Sequence, residues 1–559
     1  MPATVATKSS SQRLSPADED GVPERGMNLL TWLVLATSTC GGLLFGLDIG
    51  TTAITSMNTF RGDMGIPPLV AGQQDSVATA NQISMFPVLF HIFTLLGAPF
   101  AGFIADRVGR KPVILVASTL FTLGALWQAL AGLVSPSFAW SSVLLGRSLG
   151  GVGNGFVLTI MPVYSAELAP ASLRGKVITV LQLNITLGIF LMALINSALD
   201  AQEWGWRVAM AVQIVPCVFV IVSTLLALPE SPRYLVNAGR SDEARAALAL
   251  LARGTPNADE VVAAELGAIE EEVEAEKAVG QGGFTELLKG TALPAFMCGC
   301  MIAASQNITG VNWFMNYATS LFSSLGFEPF IFDLILKAIN MLATFVAVFV
   351  VDRLGRKFLT LWGTIFTVTI FLLMGTVILA TGVDVISATG DSTTKAVQIF
   401  VVAMIFCFQV VFAITWGPMG WLVPGEVFPL RLRGVGMSAA VVANMVTNIA
   451  LGDYGYHAMS VTDIGLGGTV LVLCGLNALI VLGSVVFLQP ETKNVTMEEM
   501  RYVFAYEKGG SEEHGHGNMH AFYTRNAKQA GPILRLRTVD PRAGFDRFSE
   551  TSAKQLARV

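Results

Sequence analysis

The segment Asp106-Arg-Val-Gly-Arg-Lys111 returns later in the chain as Asp352-Arg-Leu-Gly-Arg-Lys357. Two further pairs of segments repeat in the same order: Glu167-Leu-Ala-Pro170 with Glu426-Val-Phe-Pro429, and Pro229-Glu-Ser-Pro-Arg233 with Pro490-Glu-Thr-Lys493. Each pair is separated by roughly 250 positions, which indicates an internal duplication. The sequence therefore predicts two similar halves, and we expect the fold of one half to recur in the other.

The composition places these halves in a membrane. Hydrophobic residues make up 53% of the 559-residue chain and charged residues only 13%, against about 25% charged in soluble domains. The apolar residues fall in long runs such as Leu29 to Gly46 and Val208 to Leu228. A helix of ~20 residues crosses a ~30 Å hydrocarbon layer, and the runs lack the alternation of a membrane barrel. We therefore predict an all-α membrane protein.

The apolar runs predict twelve membrane-spanning helices, six in each half. They lie near 29–53, 82–105, 112–134, 141–163, 177–198 and 208–228, and then near 293–322, 330–351, 358–380, 397–423, 435–456 and 466–488. The predicted organisation is an N-terminal tail (1–28), a six-helix bundle (29–229), a linker with short helices (230–290), a second six-helix bundle (291–490) and a C-terminal tail (491–559). Repeated bundles of this kind build transporters whose solute site lies between the halves.

Lysine and arginine in the short loops decide the orientation, because positive charge accumulates on the cytoplasmic side. One set of loops carries most of it, at Arg107, Arg110, Lys111, Arg174, Lys176, Arg353, Arg356, Lys357, Arg431 and Arg433, whereas the opposite loops offer little beyond Arg61, Arg207 and Lys395. The first side, with both termini and the linker, is therefore predicted to be cytoplasmic. Within the linker, we expect Ser241 and Asp242 to cap the first helix.

Acidic residues accompany these positive charges on the predicted cytoplasmic face. We expect a network that latches and releases the cytoplasmic ends of the two bundles, formed by Asp106, Arg107, Arg110, Glu167, Arg174, Glu230, Arg233, Asp352, Arg353, Arg356, Glu426, Arg433 and Glu491. Charge pairs suit a reversible latch because they form no deep apolar contact. The alternative is that the positive residues only set the topology, but that rule requires no acidic partners.

Ionisable residues inside a membrane span are rare and are candidates for function. Asp48 lies in the first predicted span and Arg147 in the fourth. Each alone would cost about 2.5 to 3.5 kcal/mol at the bilayer centre, so we expect each of them to be paired or neutralised. A carboxylate that alternates between an arginine and a proton is a coupling device, whereas a static ion pair is the alternative. His91, in the second span, either joins a proton path or is hydrogen-bonded between helices.

Amide side chains recur within the predicted spans. They stand at Gln182, Gln306, Asn307, Asn312, Asn340 and Asn444, with Trp421 available to cover an apolar C–H face. An uncharged solute rich in hydroxyl groups needs both donors and acceptors, and an amide supplies both. The alternative is that these amides only join helices, an interaction worth ~0.6 to 2 kcal/mol. As a set, they predict a binding site for a neutral polyol.

Several other kinds of chemistry are not expected. We find no nucleophile, metal cluster or phosphate-binding loop placed in a cleft, so an enzyme is not predicted. The six cysteines show no paired spacing and are expected to be buried thiols. His514, His516 and His520 lie in the polar tail, where we expect no metal site. The expected partners are a small sugar-like solute, a proton and the lipid bilayer, without cofactor or nucleic acid, and we expect a functional monomer.

From about Leu29 to Met500 the chain resembles the sugar porter branch of the major facilitator superfamily. The resemblance rests on Asp106-Arg-x-Gly-Arg-Lys, Pro162-x-Tyr164-x-x-Glu167, Pro229-Glu-Ser-Pro-Arg, Gly310-Val-Asn312, the segment from Gly417-Pro418 to Glu426, and Pro490-Glu-Thr-Lys. It implies the major facilitator fold, alternating access by rocking of the two bundles, and residence in the plasma membrane. It also implies that the charged cytoplasmic residues form a network.

The resemblance assigns roles to individual positions. Asp48 matches the proton-coupling Asp of bacterial and plant sugar–proton symporters, and Arg147 matches its partner. Sugar contacts are implied for Gln182, Gln306, Asn307, Asn312, Asn340, Trp421 and Asn444, with apolar walls at Phe45 and Ile185. Family members usually carry Tyr where Leu47 stands and a second Gln where Asn307 stands, so the resemblance does not identify the sugar. The leading hypothesis is a monosaccharide–proton symporter; the alternatives are a facilitative sugar or polyol uniporter and a sugar sensor.

Overall fold

The structure is a computed structural model that describes residues 28–71, 73–133, 136–169, 174–279, 284–289, 292–381, 392–428, 432–462 and 464–493. These residues form helices joined by turns, and no β-strand occurs among them. Nearly all of the two predicted tails, up to residue 27 and after Lys493, falls outside the described residues.

The first half contains six spans in chain order. They are Leu29–Thr51 extended by the 3-10 turn Thr52–Ser56, Val77–Val108, Arg110–Ala129, Ala139–Leu168 preceded by the 3-10 turn Pro136–Phe138, Arg174–Leu199, and Gly205–Val212 followed by Ile214–Leu226. A short helix, Asn58–Met64, lies between the first and second spans. The predicted spans of this half are therefore present, with ends shifted by a few residues.

The second half also contains six spans. They are Ala292–Ile308 followed by Val311–Ser324, Pro329–Leu354, Arg356–Thr381, Ser392–Ile414 followed by Trp416–Val427, Arg433–Thr447 continued by the π-helix Asn448–Gly455 and Tyr456–Ser460, and Gly465–Leu476 continued by the π-helix Asn477–Val481 and Leu482–Phe487. Among the described residues, 11 helices are long and apolar enough to cross a membrane. The seventh span is not among those 11 because its two pieces are short, and the twelve-helix fold is confirmed.

Two spans of the second half are broken, although their apolar runs predicted continuous helices. The seventh span stops at Ile308 and restarts at Val311, since Gly310 adopts a left-handed φ of 89°. A Cβ at Gly310 would lie 2.6 Å from the side chain of Leu473, so a larger residue does not fit. The tenth span breaks at Thr415. Transporters interrupt helices where the backbone lines a cavity, and both breaks indicate such a place.

The spans pack in the same pairs in both halves. In the first half the first span packs on the fifth, the second on the fourth and the third on the sixth. In the second half the seventh packs on the eleventh, the eighth on the tenth and the ninth on the twelfth. The halves meet where the fifth span touches the eighth and where the second touches the eleventh. This arrangement matches the duplication that the repeated motifs predicted.

The outer surface of the spans is apolar. Leu342, Phe345 and Phe349 are exposed along the eighth span, and other spans expose comparable side chains. Such a surface is unfavourable in water but matches the hydrocarbon of a bilayer. All six cysteines are free thiols. The expected burial is wrong for Cys40 and Cys300, which are half-buried, and for Cys407, which is exposed on the tenth span. A thiol behaves as a small apolar group that tolerates lipid.

A glycine and a glutamate shape the repeated loop after the second span. Gly109 adopts a left-handed φ of 100°, and the carboxylate of Glu230 accepts hydrogen bonds from the backbone N–H groups of Arg110 at 3.0 Å and Lys111 at 3.1 Å. These N–H groups begin a helix, where they lack helical partners and the dipole favours negative charge. A Cβ at Gly109 would press on the carboxylate of Glu230, and the left-handed φ strains any other residue at this position.

The same device follows the eighth span. Gly355 has a φ of 93°, and Glu491 accepts hydrogen bonds from the backbone N–H groups of Arg356 at 2.9 Å and Lys357 at 3.1 Å. In each half, the glutamate that follows the last span therefore ties that span to the loop between its second and third spans.

The linker between the halves is helical where it is described. Its helices are Pro232–Asn237, Ser241–Leu251, Ala258–Val279 and Phe284–Leu287. Asn28 donates a 2.7 Å hydrogen bond to the carbonyl of Leu251, which joins the linker to the start of the first span. The predicted cap is wrong, since the helix already includes Ser241 and the cap position is occupied by Arg240, whose side chain does not cap the helix. The guanidinium of Arg240 instead donates a 2.6 Å hydrogen bond to Glu243. This hydrogen bond holds the pKa of Glu243 below its usual value.

We expect Gly109→Ala to destabilise the protein by about 1 to 3 kcal/mol, since alanine must hold a left-handed φ while its Cβ presses on Glu230. Gly475 in the twelfth span has open space where a Cβ would stand, so Gly475→Ala is the matched control and should stabilise by up to about 1 kcal/mol. Thermal unfolding midpoints in detergent measure both changes. Equal midpoints for the two variants would contradict this account of the loop.

Candidate functional site

A cavity lies between the two halves, where transporters built from such repeats have their solute site. The first and fifth spans supply one wall, and the seventh, eighth, tenth and eleventh spans supply the other. All nine side chains predicted to contact the solute line this cavity: Phe45, Gln182, Ile185, Gln306, Asn307, Asn312, Asn340, Trp421 and Asn444. The structure brings them together, and their contact with a solute stays a prediction.

The amides of the second half hold one another in fixed orientations. Gln306 donates from Nε2 to the carbonyl of Gly417 at 2.8 Å and accepts from Nδ2 of Asn444 at 3.0 Å. Asn307 donates to the carbonyl of Asn444 at 2.8 Å and accepts from Nδ2 of Asn312 at 2.6 Å. Turning one amide would break the bonds of its neighbours. The donors and acceptors are therefore oriented before a solute arrives, which lowers the entropy lost on binding.

Other amides keep polar atoms available for a solute. The Oε1 atom of Gln182 is buried and has no hydrogen-bond partner among the described residues. Asn340 accepts a 2.8 Å hydrogen bond from Gln409 through Oδ1, which leaves its NH₂ group for the cavity. A buried oxygen without a partner costs about 1 to 3 kcal/mol, and a hydroxyl donor would remove that penalty. The wall thus suits a neutral solute whose hydroxyl groups both donate and accept.

The cavity contains further residues that the sequence did not reveal. Asn448 lines it one turn after Asn444 and accepts a 2.7 Å hydrogen bond from Asn312. The spacing of four residues on one helix face was the signal that should have included Asn448. Phe412 also lines the cavity, but it lies in an apolar run where nothing in the pattern distinguishes it from its neighbours.

Asp48 and Arg147 form the buried pair that their positions predicted. Both guanidinium Nη atoms of Arg147 donate to the carboxylate of Asp48. Arg147 also donates from Nε to the carbonyl of Phe86 at 3.1 Å and lies 4.2 and 4.3 Å from the ring centres of Phe86 and Phe90. The pair stands behind the cavity wall, one helical turn from the wall residue Phe45. Its geometry fits a proton site, and its role in coupling stays a prediction.

A second buried pair, His91 with Asp453, was not predicted. Nδ1 of His91 lies 2.7 Å from Oδ2 of Asp453, and both side chains are buried. His91 belongs to the first half and Asp453 to the second. His91 is therefore hydrogen-bonded between helices, which was one of the two alternatives expected for it. Asp453 stands inside the predicted eleventh span, and the rule that singled out Asp48 applies equally to it.

Hydrogen bonds between the halves continue outward from this pair. They join Tyr317 to Ser84 at 3.2 Å, Ser56 to Thr319 at 2.8 Å, Ser320 to Asp75 at 3.5 Å and Gln74 to the carbonyl of Ser460 at 2.7 Å. Tyr317, Ser56 and Thr319 are all buried. These contacts close the side of the cavity that lies opposite the repeated, positively charged loops, and we call the residues that make them, with His91 and Asp453, the outer gate.

The charge pairs on the predicted cytoplasmic face join helices within one half, whereas we expected them to latch one half to the other. Nη2 of Arg110 lies 2.9 Å from Glu167, and Nη2 of Arg356 lies 2.9 Å from Glu426. The tight turns at Gly109 and Gly355 start the third and ninth spans beside the ends of the fourth and tenth spans. Each arginine therefore lies next to a glutamate of its own bundle and pairs with it.

The remaining residues of the predicted network fall into two groups. Four of them have described contacts. Asp106 lies 3.4 Å from Arg110, and Arg233 lies 3.4 Å from Glu272 in the linker. Arg107 lies over the ring of Phe103, and the carbonyl of Arg353 accepts a 2.6 Å hydrogen bond from Nζ of Lys493. The side chains of Arg174, Asp352 and Arg433 lie outside the described part of the chain.

Two bundles of matching helices around a polar cavity, with one face of the cavity closed, define a secondary transporter of the major facilitator fold. Among the described residues, no group of three or more His, Cys, Asp or Glu is arranged to hold a metal ion. The chain belongs to the family described as sugar (and other) transporters, whose profile matches residues 33–504.

Comparison with known proteins agrees with this family. Sugar transport protein MST7 of Oryza sativa subsp. japonica is 33% identical over 502 residues, covering 86% of this chain and 93% of the relative. The H(+)/hexose cotransporter 2 of Parachlorella kessleri is 32% identical over 506 residues, covering 88% and 89%. A solved structure of the proton:xylose symporter XylE of E. coli superposes with a TM-score of 0.68 at 24% identity, covering 85% of this chain and 99% of that one.

We expect Arg147→Met to destabilise the protein by about 3 to 5 kcal/mol, because it leaves the buried carboxylate of Asp48 without a partner. The double variant Asp48→Asn with Arg147→Met removes both charges and should recover most of that loss. Thermal unfolding midpoints of the purified variants report the difference. A double variant as unstable as the single one would show that the ion pair is not the source of the loss.

Proposed function

We propose that this protein carries a monosaccharide, a hexose or pentose, across the plasma membrane together with a proton. One observation carries the proposal: a cavity lined by uncharged amides from both halves lies one helical turn from the buried pair of Asp48 and Arg147. The amides match sugar hydroxyl groups, and the carboxylate offers a proton site that does not compete with the sugar. The chain works as a monomer in the bilayer, with both termini in the cytoplasm.

Transport proceeds by alternating access. With the outer gate closed, as it is here, the cavity is shut off from the outside. The pairs Arg110–Glu167 and Arg356–Glu426 hold the cytoplasmic ends of each bundle together, so each half moves as a unit. Rocking the halves about the cavity then breaks the outer contacts and exposes the same amides to the other side of the membrane.

The named relatives support both parts of the proposal. The matched proteins of Oryza sativa and Parachlorella kessleri are called a sugar transport protein and an H(+)/hexose cotransporter. A proton that enters down ~100 mV supplies ~2.3 kcal/mol. That free energy sustains a roughly 50-fold sugar gradient, because 1.36 kcal/mol corresponds to a factor of ten.

Asp48→Asn is expected to abolish uphill sugar accumulation, since the amide is neutral at every pH and carries no proton across. Labelled-sugar exchange without a gradient should persist, because the cavity wall is unchanged. Both are measured in proteoliposomes with an imposed proton gradient, with and without a protonophore. Wild-type uptake that only equilibrates the sugar and is indifferent to the protonophore would favour the facilitative uniporter instead.

A sugar sensor of the same fold makes a different prediction. Removing the chain after Met500 should leave sugar uptake intact if the protein is a transporter. If it is a sensor, the full-length protein should show little uptake, and the truncation should abolish its signalling. Uptake measured in a cell without other sugar transporters separates the two. A full-length protein that binds sugar in the cavity without moving it would contradict transport.

We expect Gln306→Leu to raise the KM for sugar about tenfold or more, because leucine removes an amide that faces the cavity and frees its partner Asn444. Gln128, a buried glutamine of the third span that does not line the cavity, provides the control variant Gln128→Leu. Uptake kinetics use the best competitor from a panel of hexoses, pentoses, polyols and sugar acids. Similar KM values for the two variants would remove Gln306 from the binding site.

A further inference from the structure

The pair of His91 and Asp453 lies directly outside the cavity wall. Asn312 lines the cavity, and Asn316, one turn further out on the same face, donates a 2.7 Å hydrogen bond to Oδ1 of Asp453. On the eleventh span the cavity residue Asn448 and Asp453 both belong to the π-helix, whose wider turn brings residues five apart towards one side. The pair is thus placed between the bound solute and the outer water.

The outer gate holds His91 and Asp453 together only while it is closed. His91 belongs to the second span and Asp453 to the eleventh, and these spans touch where the two halves meet. The carbonyl of Asp453 accepts a 2.5 Å hydrogen bond from the hydroxyl of Tyr317, which also reaches Ser84 of the second span. Rocking the halves apart on this side separates His91 from the carboxylate and admits water to both.

The charges around His91 do not balance when the imidazole is neutral. The charged groups close enough to act on His91 are Asp453 of the eleventh span, Asp48 of the first and Arg147 of the fourth. Together these three carry one net negative charge, and all are buried. A net charge in a buried site is costly unless it is paired. One proton on His91 makes the cluster neutral and turns the hydrogen bond to Asp453 into an ion pair.

We propose that His91 and Asp453 form a second proton site of the transport cycle, which takes up one proton as the outer gate closes. This inference rests on the proposed function, because it assigns a step of proton-linked transport to named residues. The Nε2 atom of His91 is buried and has no partner among the described residues. In the closed gate Nδ1 faces Asp453, so the protonated imidazole donates Nδ1–H to that carboxylate and carries its other proton on Nε2.

The consequence is a gate that senses external acidity. With the gate open, His91 has lost the carboxylate of Asp453, while Asp48 and Arg147 still neutralise each other within the first half. The closed state therefore binds the proton more tightly than the open state, and by linkage a lower pH favours closing. Proton entry and gate closing are tied together at a position that leaves the sugar cavity free.

Distances across the gate test this directly. Val70 and Ile464 are exposed in outer loops of the two halves, so Val70→Cys and Ile464→Cys can carry nitroxide labels in full-length protein. Three native cysteines are not buried and would also take the label, so they are changed to serine: Cys40, Cys300 and Cys407. The same protein without the two introduced cysteines, treated with the label, gives the background signal. Double electron–electron resonance in lipid nanodiscs without sugar gives the ratio of closed to open gates between about pH 7.5 and pH 5.5, around the ordinary range of histidine.

We expect the closed fraction to rise as the pH falls, with the ratio changing by at most about tenfold per pH unit for one proton. His91→Gln and Asp453→Asn should each make the ratio independent of pH. Tyr317→Phe is the control, because it removes a hydrogen bond to the same residue but no group that titrates in this range, and it should keep the pH dependence.

Three results would overturn the proposal: a wild-type ratio that ignores pH, an unchanged pH dependence in His91→Gln, or its loss in Tyr317→Phe. Where a single variant does not fold because one charge is left unpaired, the double variant His91→Gln with Asp453→Asn removes both charges and is measured instead. The experiment uses neither sugar nor a proton gradient. If the protein is a facilitator and the proposed symport fails, the gate should still respond to pH. If the gate does not respond to pH, the proposal for His91 and Asp453 fails, while the protonophore test of Asp48 is unaffected.

Discussion

Lipid offers no hydrogen bonds, so a polar side chain buried among these spans must find its partner inside the protein. Gln306, Asn307 and Asn444 find their partners in neighbouring amides and in backbone carbonyls, and Arg147 neutralises Asp48. One buried polar atom that remains without a partner among the described residues, Oε1 of Gln182, lies at the wall of the central cavity, whereas others, such as Nε2 of His91, lie away from it. The acceptor of Gln182 is therefore the unsatisfied buried group that a solute in the cavity is placed to pair with.

Because the chain consists of two similar halves, its interactions are of two kinds: those within a half persist during the transport cycle, and those between the halves form and break. Within each half, a left-handed glycine, a glutamate after the last span and an Arg–Glu pair fasten the repeated loop to its own bundle. Between the halves, the described hydrogen bonds are mostly single contacts of hydroxyl and amide groups, which separate without exposing large apolar surfaces. His91 with Asp453 differs from these contacts, because separating this pair also changes where charge is buried.

The sequence was sufficient for the features that depend on local composition. Hydropathy and the repeated Asp-Arg-x-Gly-Arg-Lys segment predicted the twelve spans and two halves, and the family is confirmed. An apolar run looks the same whether its helix is continuous or broken, so the interruption at Gly310 was not predicted. The resemblance named the residues that line the cavity, whereas Asp453 meets His91 only because two helices distant in sequence present particular faces after packing. The same packing directs Arg110 to Glu167 of its own half.

The π-helix Asn448–Gly455 has a consequence for how related sequences are compared. Its wider turn holds one residue more than an α-helix of similar rise, and the helix continues as α on both sides. A relative that lacks one residue in this stretch would run as a regular α-helix, and the later positions of the span would keep their faces because the wider turn alone accommodates the extra residue. A one-residue alignment gap here would thus mark the loss of the wide turn, while the side chains after it still turn towards the same neighbours.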